Sequence, residues 1–137
     1  MPEPQAKSAA RLKSISPQFP VPDVVAAAEY YRDKLGFKIL GYFLDLPVYC
    51  IVERDSVEIH LGRLEPDATL SPNSSRRDGG LDAYIWVTDV DALYAELKER
   101  GANVVEPPTV RVYNCYEMVV KDIYGFRLAF AMDFQNP

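Results

Sequence analysis

From Ile15 onward, apolar positions fall into short runs of strand character and two longer stretches with helical spacing, and the order recurs. Ile15, Phe19 and Val21 stand among Pro17, Pro20 and Pro22, which fits a short strand at a sheet edge or one exchanged between copies rather than a central strand. Asp23 is placed as a helix N-cap. Behind it Val24 to Leu35 puts Val24, Ala27, Ala28, Tyr31 and Leu35 on one face, and Gly36 ends the helix. Three strand-like runs follow, Phe37 to Phe43, Val48 to Arg54 and Val57 to Leu61, the last two joined by the turn Asp55-Ser56. Residues 63–80 are dense in Pro, Ser, Asn, Asp and Gly and predict a linker or long loop. Then comes a strand over Tyr84 to Thr88, an N-cap at Asp89, and a helix over Val90 to Arg100 whose face carries Val90, Leu93, Tyr94 and Leu97. Gly101 closes that helix. Strands at Val104-Val105, Val110 to Tyr113, Met118 to Lys121 and Phe126 to Met132 complete the chain, the last two joined by the turn Asp122 to Gly125. Residues 1–14 show no apolar period and predict a loose tail.

The motifs Val21-x-Asp23-Val24 and Val87-x-Asp89-Val90 are 66 apart (87 − 21), and Gly36 and Gly101 are 65 apart (101 − 36). The chain therefore reads as an internal repeat, strand, helix, then strands, twice over. At 137 residues and 48% hydrophobic it has the size and core-forming content of a single α+β domain, assigned to residues 15–137.

Fifteen basic against twenty acidic residues leave a net charge of −5, which argues against a nucleic-acid partner and favours cationic ligands as a general field. The same acidity would also serve solubility alone. Two cysteines, Cys50 and Cys115, make neither a disulfide framework nor a four-ligand zinc site, and no secretory segment opens the chain, so a reducing, cytoplasmic setting is expected. No apolar run reaches the roughly 18 residues of a spanning helix, so no membrane partner is expected.

Pro20-Val21-x-Asp23 followed by Glu29-Tyr30-Tyr31-Arg32-Asp33-Lys34-Leu35-Gly36-Phe37 resembles the opening of the vicinal-oxygen-chelate superfamily of glyoxalases, bleomycin-resistance proteins and extradiol dioxygenases. The stretch Tyr84-Ile85-Trp86-Val87-x-Asp89-Val90, with Lys121-Asp122 and Gly125, looks most like the bleomycin-resistance branch. The resemblance implies two βαβββ modules, about 15–62 and 81–133, joined by the loop 63–80. Each module would form a cup-shaped mixed sheet, two cups enclosing a small molecule within one chain or across a homodimer.

Enzymes of that superfamily hold a divalent metal between the first and last strands of each half, because a chelated substrate needs a metal with open positions. The matching positions are Ser16 and Asp82 on the first strands, Glu58 or His60 on one last strand, and Ala129 on the other. Ser16 and Ala129 are not credible ligands, and His60 is the single histidine. The expected site is therefore metal-free, with no cofactor and no catalytic residue assigned.

Glu58 and His60 share one face of a strand and are expected to line a cavity, as an anion and a donor-acceptor; the alternative is that His60 stacks on neighbouring aromatics and Glu58 pairs with an arginine. Asp82, Tyr84 and Trp86 share another such face, where rings can stack on planar groups. Tyr42, Phe43, Tyr49, Tyr113 and Tyr116 are further candidates, on strands expected to reach the cup. Cys115 has no second histidine to form a thiolate pair, and Cys50 reads as core. The leading expectation is a binding protein for a small, cationic aromatic compound such as an antibiotic. The alternative is a metal-dependent lyase, isomerase or dioxygenase in which Glu58, His60 and Asp82 act.

Overall fold

Each helix begins where an aspartate side chain can take up a free backbone amide. Asp23 accepts from the Ala26 amide at 3.0 Å, and Asp89 does the same for Ala92 at 3.0 Å. Each helix ends on a left-handed glycine, Gly36 at φ 74° and Gly101 at φ 80°. A computed structural model describes residues 8–134, in which these helices are α1 (Val24–Leu35) and α2 (Val90–Arg100).

Around them run β1 (Gln18–Val21), β2 (Lys38–Phe43), β3 (Tyr49–Arg54) and β4 (Val57–Arg63), then β5 (Ala83–Trp86), β6 (Val104–Val110), β7 (Cys115–Lys121) and β8 (Arg127–Asp133). They form two four-stranded mixed sheets, ordered β1-β4-β3-β2 and β5-β8-β7-β6. In each, the first strand lies parallel to the last and the other pairings are antiparallel. The chain is thus two βαβββ modules, as the repeat implies.

Local chemistry explains the boundaries. Asp55 and Ser56 both adopt positive φ (51° and 69°), which closes the β3–β4 hairpin with the twist that a two-residue loop needs. β1 is an edge strand, so its proline costs no ladder bond. It is shorter than its apolar pattern suggested, and Ile15 lies outside it, exposed. β6 also differs from expectation: it runs on through Pro107 and Pro108, tolerated because β6 is an edge and its register slips between Glu106 and Thr109. Tyr113 lies in the turn after β6 rather than in a strand, and β5 stops at Trp86, short of Thr88. Of the expected tail, residues 1–7 lie outside the described residues, and 8–14 carry neither helix nor strand.

One core serves both modules. It takes Phe19, Tyr31, Leu35, Val52, Ile59 and Leu61 from the first half and Leu97, Met118, Val120, Leu128 and Phe130 from the second. The strand residues among them lie on the helix-side face of each sheet. The opposite faces are open.

The halves meet at two junctions. At one, the Phe19 and Phe126 rings stack at 4.7 Å with their planes 4° apart, and the Tyr31 hydroxyl donates to Asp122 at 2.6 Å. At the other, Arg54 on the β3–β4 hairpin donates two hydrogen bonds to Glu96 of α2, at 2.8 and 3.0 Å, and a third to the Leu35 carbonyl at 2.9 Å. Gly36 is needed here twice over: its φ is positive, and a Cβ would sit 2.8 Å from the Arg54 guanidinium.

Asp122 makes the first junction sensitive to pH. Burial pushes its carboxyl above the ordinary value, against the lowering effect of the Tyr31 hydroxyl and of the Tyr124 and Phe126 amides. The folded state therefore binds this proton more tightly than the unfolded one. The associated stability is complete below the unfolded pKa of about 3.9 and is lost as pH rises through the folded value. Asp122→Asn is expected to shift Tm in the variant's favour, relative to the parent, as pH goes from 4 to 7. A Tm difference that stays constant across that range would contradict this account.

Candidate functional site

On the open face of the first sheet, alternation brings together His60 and Glu58 of β4, Tyr49 and Ile51 of β3, and Phe43 of β2. The Tyr49 hydroxyl oxygen lies 2.6 Å from His60 Nδ1, and His60 Nε2 lies 3.4 Å from Glu58 Oε1. The imidazole is thus held between a phenol and a carboxylate. The Phe43 ring packs on Tyr49 at 6.0 Å and is half exposed.

The second sheet's open face is built around a carboxylate that the sequence reading did not single out. Glu117 of β7 is 2% exposed and accepts from the Tyr84 hydroxyl at 2.9 Å and the Tyr113 hydroxyl at 2.6 Å. Arg111 Nε stands 3.5 Å from its other oxygen. The charge is therefore buried with partners, as a buried charge must be. Both phenols are pushed to higher pKa: Tyr84 chiefly by burial, then by Cys115 and Glu117, and Tyr113 chiefly by its hydrogen bond to Glu117.

Tyr84 and Trp86 form an edge-to-face pair at 5.3 Å and are 38% and 60% exposed. Their register partners on β8 are Ala129 and Ala131. Both alanines are fully buried although they lie on the face away from the helix. Small residues on β8 thus make room for the rings of β5.

Three expected site residues are placed differently from the sequence reading. Tyr42 pairs with Cys50, a core residue, so it lies on the helix-side face. Tyr116 is on the helix-side face as well, donating to Asp91 of α2 at 2.6 Å. Both follow from strand parity: their neighbours Phe43 and Glu117 take the open face. Asp82 is committed to the backbone, accepting from the amides of Asn73 at 2.9 Å and Arg127 at 2.8 Å, so it ties the 63–80 loop to β8. Cys50 is buried, and burial pushes its thiol up to about 11, in keeping with a core residue.

The last strands of the two modules can be compared by register. Gln18 faces His60 across β1–β4 as Tyr84 faces Ala129 across β5–β8. The position equivalent to His60 therefore has no donor. Among the described residues no three His, Cys, Asp or Glu side chains come together in a group that could hold a metal ion. Sequence reasoning also missed Arg127, on the same face as Ala129. Its Nε is buried with no hydrogen-bond partner, and it makes no ion pair among the described residues.

Among the described residues no helix is long and apolar enough to cross a membrane. The two groups, His60 with Tyr49 and Glu58, and Glu117 with Tyr84 and Tyr113, share no hydrogen bond.

Residues 11–130 match the sequence profile of the Glyoxalase/Bleomycin resistance protein/Dioxygenase superfamily. No curated protein matches. Among solved structures, a glyoxalase-related enzyme from Clostridium phytofermentans superposes with a TM-score of 0.73 at 16% identity, covering 93% of this chain and 100% of the other. TioX from Micromonospora sp. ML1 gives 0.68 at 17% identity, covering 89% and 99%. UcmS2 gives 0.69 at 21% identity, covering 89% and 98%. At these identities the likeness is one of fold.

Proposed function

Because the chain belongs to the glyoxalase/bleomycin resistance protein/dioxygenase superfamily, we propose that it is a small-molecule binding protein whose open sheet faces hold a planar aromatic ligand without a metal. The observation that carries this reading is the exposed Tyr84–Trp86 pair seated over Ala129 and Ala131 and backed by the buried Glu117. Exposed rings offer stacking surface, and a carboxylate that fixes a phenol hydroxyl orients one of them in advance. Glu58, beside His60, supplies an accessible anion for a cationic group. This favours a cationic aromatic ligand of the kind that the bleomycin-resistance branch takes, an antibiotic among them. Ala129 at the position equivalent to His60 supports binding without a divalent ion.

Native mass spectrometry of the protein as isolated, together with titration of proflavine as a planar aromatic cation, tests the reading. Saturable proflavine binding at one site per module pair is expected. Stoichiometric divalent metal in protein purified without chelator, with a large thermal shift on adding that ion, would sink it in favour of a metal-dependent enzyme.

A homodimer is part of the same proposal. Phe43, Leu44 and Leu46 are all half exposed or more, and burying them against a second copy would remove apolar area from water on both sides. Light scattering after size exclusion is expected to give twice the chain mass at micromolar concentration. A monomer there would contradict the assembly while leaving the ligand reading to its own test.

A further inference from the structure

The two junctions between the modules are related by the internal repeat, yet they are filled differently. Strand register makes Ile85 the counterpart of Phe19, and Val57 the counterpart of Phe126. Where Phe19 and Phe126 stack at 4.7 Å, the first junction is closed by rings. At the second junction, the smaller Ile85 and Val57 line a half-open cavity of about 530 Å³, together with Leu35, Phe37, Leu93 and Phe130. This cavity lies on the helix side of the sheets, away from the faces that carry His60 and Glu117. Protein interiors are close-packed, and an unfilled apolar space forfeits contacts, so a gap opposite a filled counterpart is a departure that a bound molecule would make good. Its volume is within the range of roughly 300–1,000 Å³ usual for small-molecule sites.

The rim sets the class of ligand. Asp55, Asp89 and Glu96 border the cavity against one cation, Arg54. Both oxygens of Glu96 are taken by Arg54, and one of them also by Arg100. Asp89 caps α2 through one oxygen, and Asp55 is held only loosely by Arg54 at 3.7 Å and is otherwise in solvent. An acidic rim over an apolar floor suits a molecule with a hydrophobic body and one ammonium group. We propose that this inter-module cavity is a second binding site, distinct from the open sheet faces, for a small aryl- or alkylamine.

Trp86, the only tryptophan, stands on the open face beside Tyr84 and also borders the cavity mouth, so its emission reports binding at either place and the methyl shifts decide which. Titration with 2-phenylethylamine is expected to change Trp86 emission saturably. 3-Phenylpropanoate, of similar shape and opposite charge, should bind at least tenfold more weakly. Methyl NMR should place the amine's shifts at Val57, Ile85 and Leu93. The paired change Val57→Phe and Ile85→Phe copies the filled junction and should keep Tm at or above the parent's while lowering amine affinity at least tenfold. Asp55→Asn, in an exposed turn at positive φ that asparagine accepts, should weaken the amine several-fold without changing the fold and serves if the paired variant does not fold. The inference is overturned by no saturable change up to 10 mM amine, by equal affinity for the propanoate, or by methyl shifts confined to Ile51, Ala129 and Ala131 on the open faces. Unchanged amine affinity in a folded filled-cavity variant, or in Asp55→Asn, overturns it as well.

Discussion

Replacement of Phe126 by alanine is expected to lower the unfolding free energy by about 3–5 kcal/mol. The ring is 3% exposed, and so is its partner Phe19, so truncation loses the transfer energy of one ring and strips contacts from the other. Relaxation has little scope, because Phe19 sits on a β1 strand held by pairing to β4, and Phe126 amide donates to the buried Asp122. Phe19→Ala should cost a similar amount, and the double variant less than the two together, since both lose the same stacking contact. Urea denaturation checks this through the midpoint at an unchanged slope. A loss below about 1 kcal/mol would show that the junction collapses around the gap and that the stack matters little.

Glu117→Ala is expected to weaken proflavine binding by about 2 kcal/mol, roughly thirtyfold. Two phenols lose their common acceptor in one step, so the Tyr84 ring is free to leave the pose in which it meets Trp86. Arg111 retains Glu106 at 2.8 Å, and both hydroxyls can reach water, so the fold should survive. Tyr84→Ala, which removes only one stacking surface, should cost about 1 kcal/mol. Glu117→Gln keeps the one oxygen that accepts from both phenols and loses the charge facing Arg111, so it should restore most of the affinity. Calorimetric titration of the three variants gives the comparison. Equal affinities in the parent and Glu117→Ala would return this cluster to a structural role in the sheet.

Both helices could be read from the chain because aspartate caps, left-handed glycines and an apolar stripe agree at each end. The sheets were legible in order but not in extent. Pro107-Pro108 hid the middle of β6, since prolines within a run ordinarily argue against a strand, and only the edge position excuses them. That error carried into the site. With β7 begun at Met118 in the reading, Glu117 fell into a supposed loop, whereas the strand starts at Cys115. A lone glutamate set in the run Cys115 to Val120 was the available signal, because an isolated charge in a buried strand demands partners. Tyr42 and Tyr116 were assigned to the cup from their strands alone, and one step of parity sends each to the other face. His60, Glu58, Tyr84 and Trp86 shared faces as alternation implied, but the bonds that hold them depend on Tyr49 and Glu117 across the sheet, which no local pattern encodes.

Of the four edge strands, β2 and β6 differ in their appetite for further strands. β2 offers a proline-free backbone edge, broken by a register shift between Ile39 and Gly41 and flanked by exposed Leu40, Phe43, Leu44 and Leu46, a border along which chains can add to one another during aggregation. β6 carries two imino acids in succession at the corresponding border, and each lacks the amide hydrogen that an incoming strand must find. Growth of a fibre needs a receptive border at both ends of the repeating unit. Addition of β2 of one copy to β6 of the next is therefore blocked by Pro107 and Pro108, whereas β2 can still pair with β2 of a second copy.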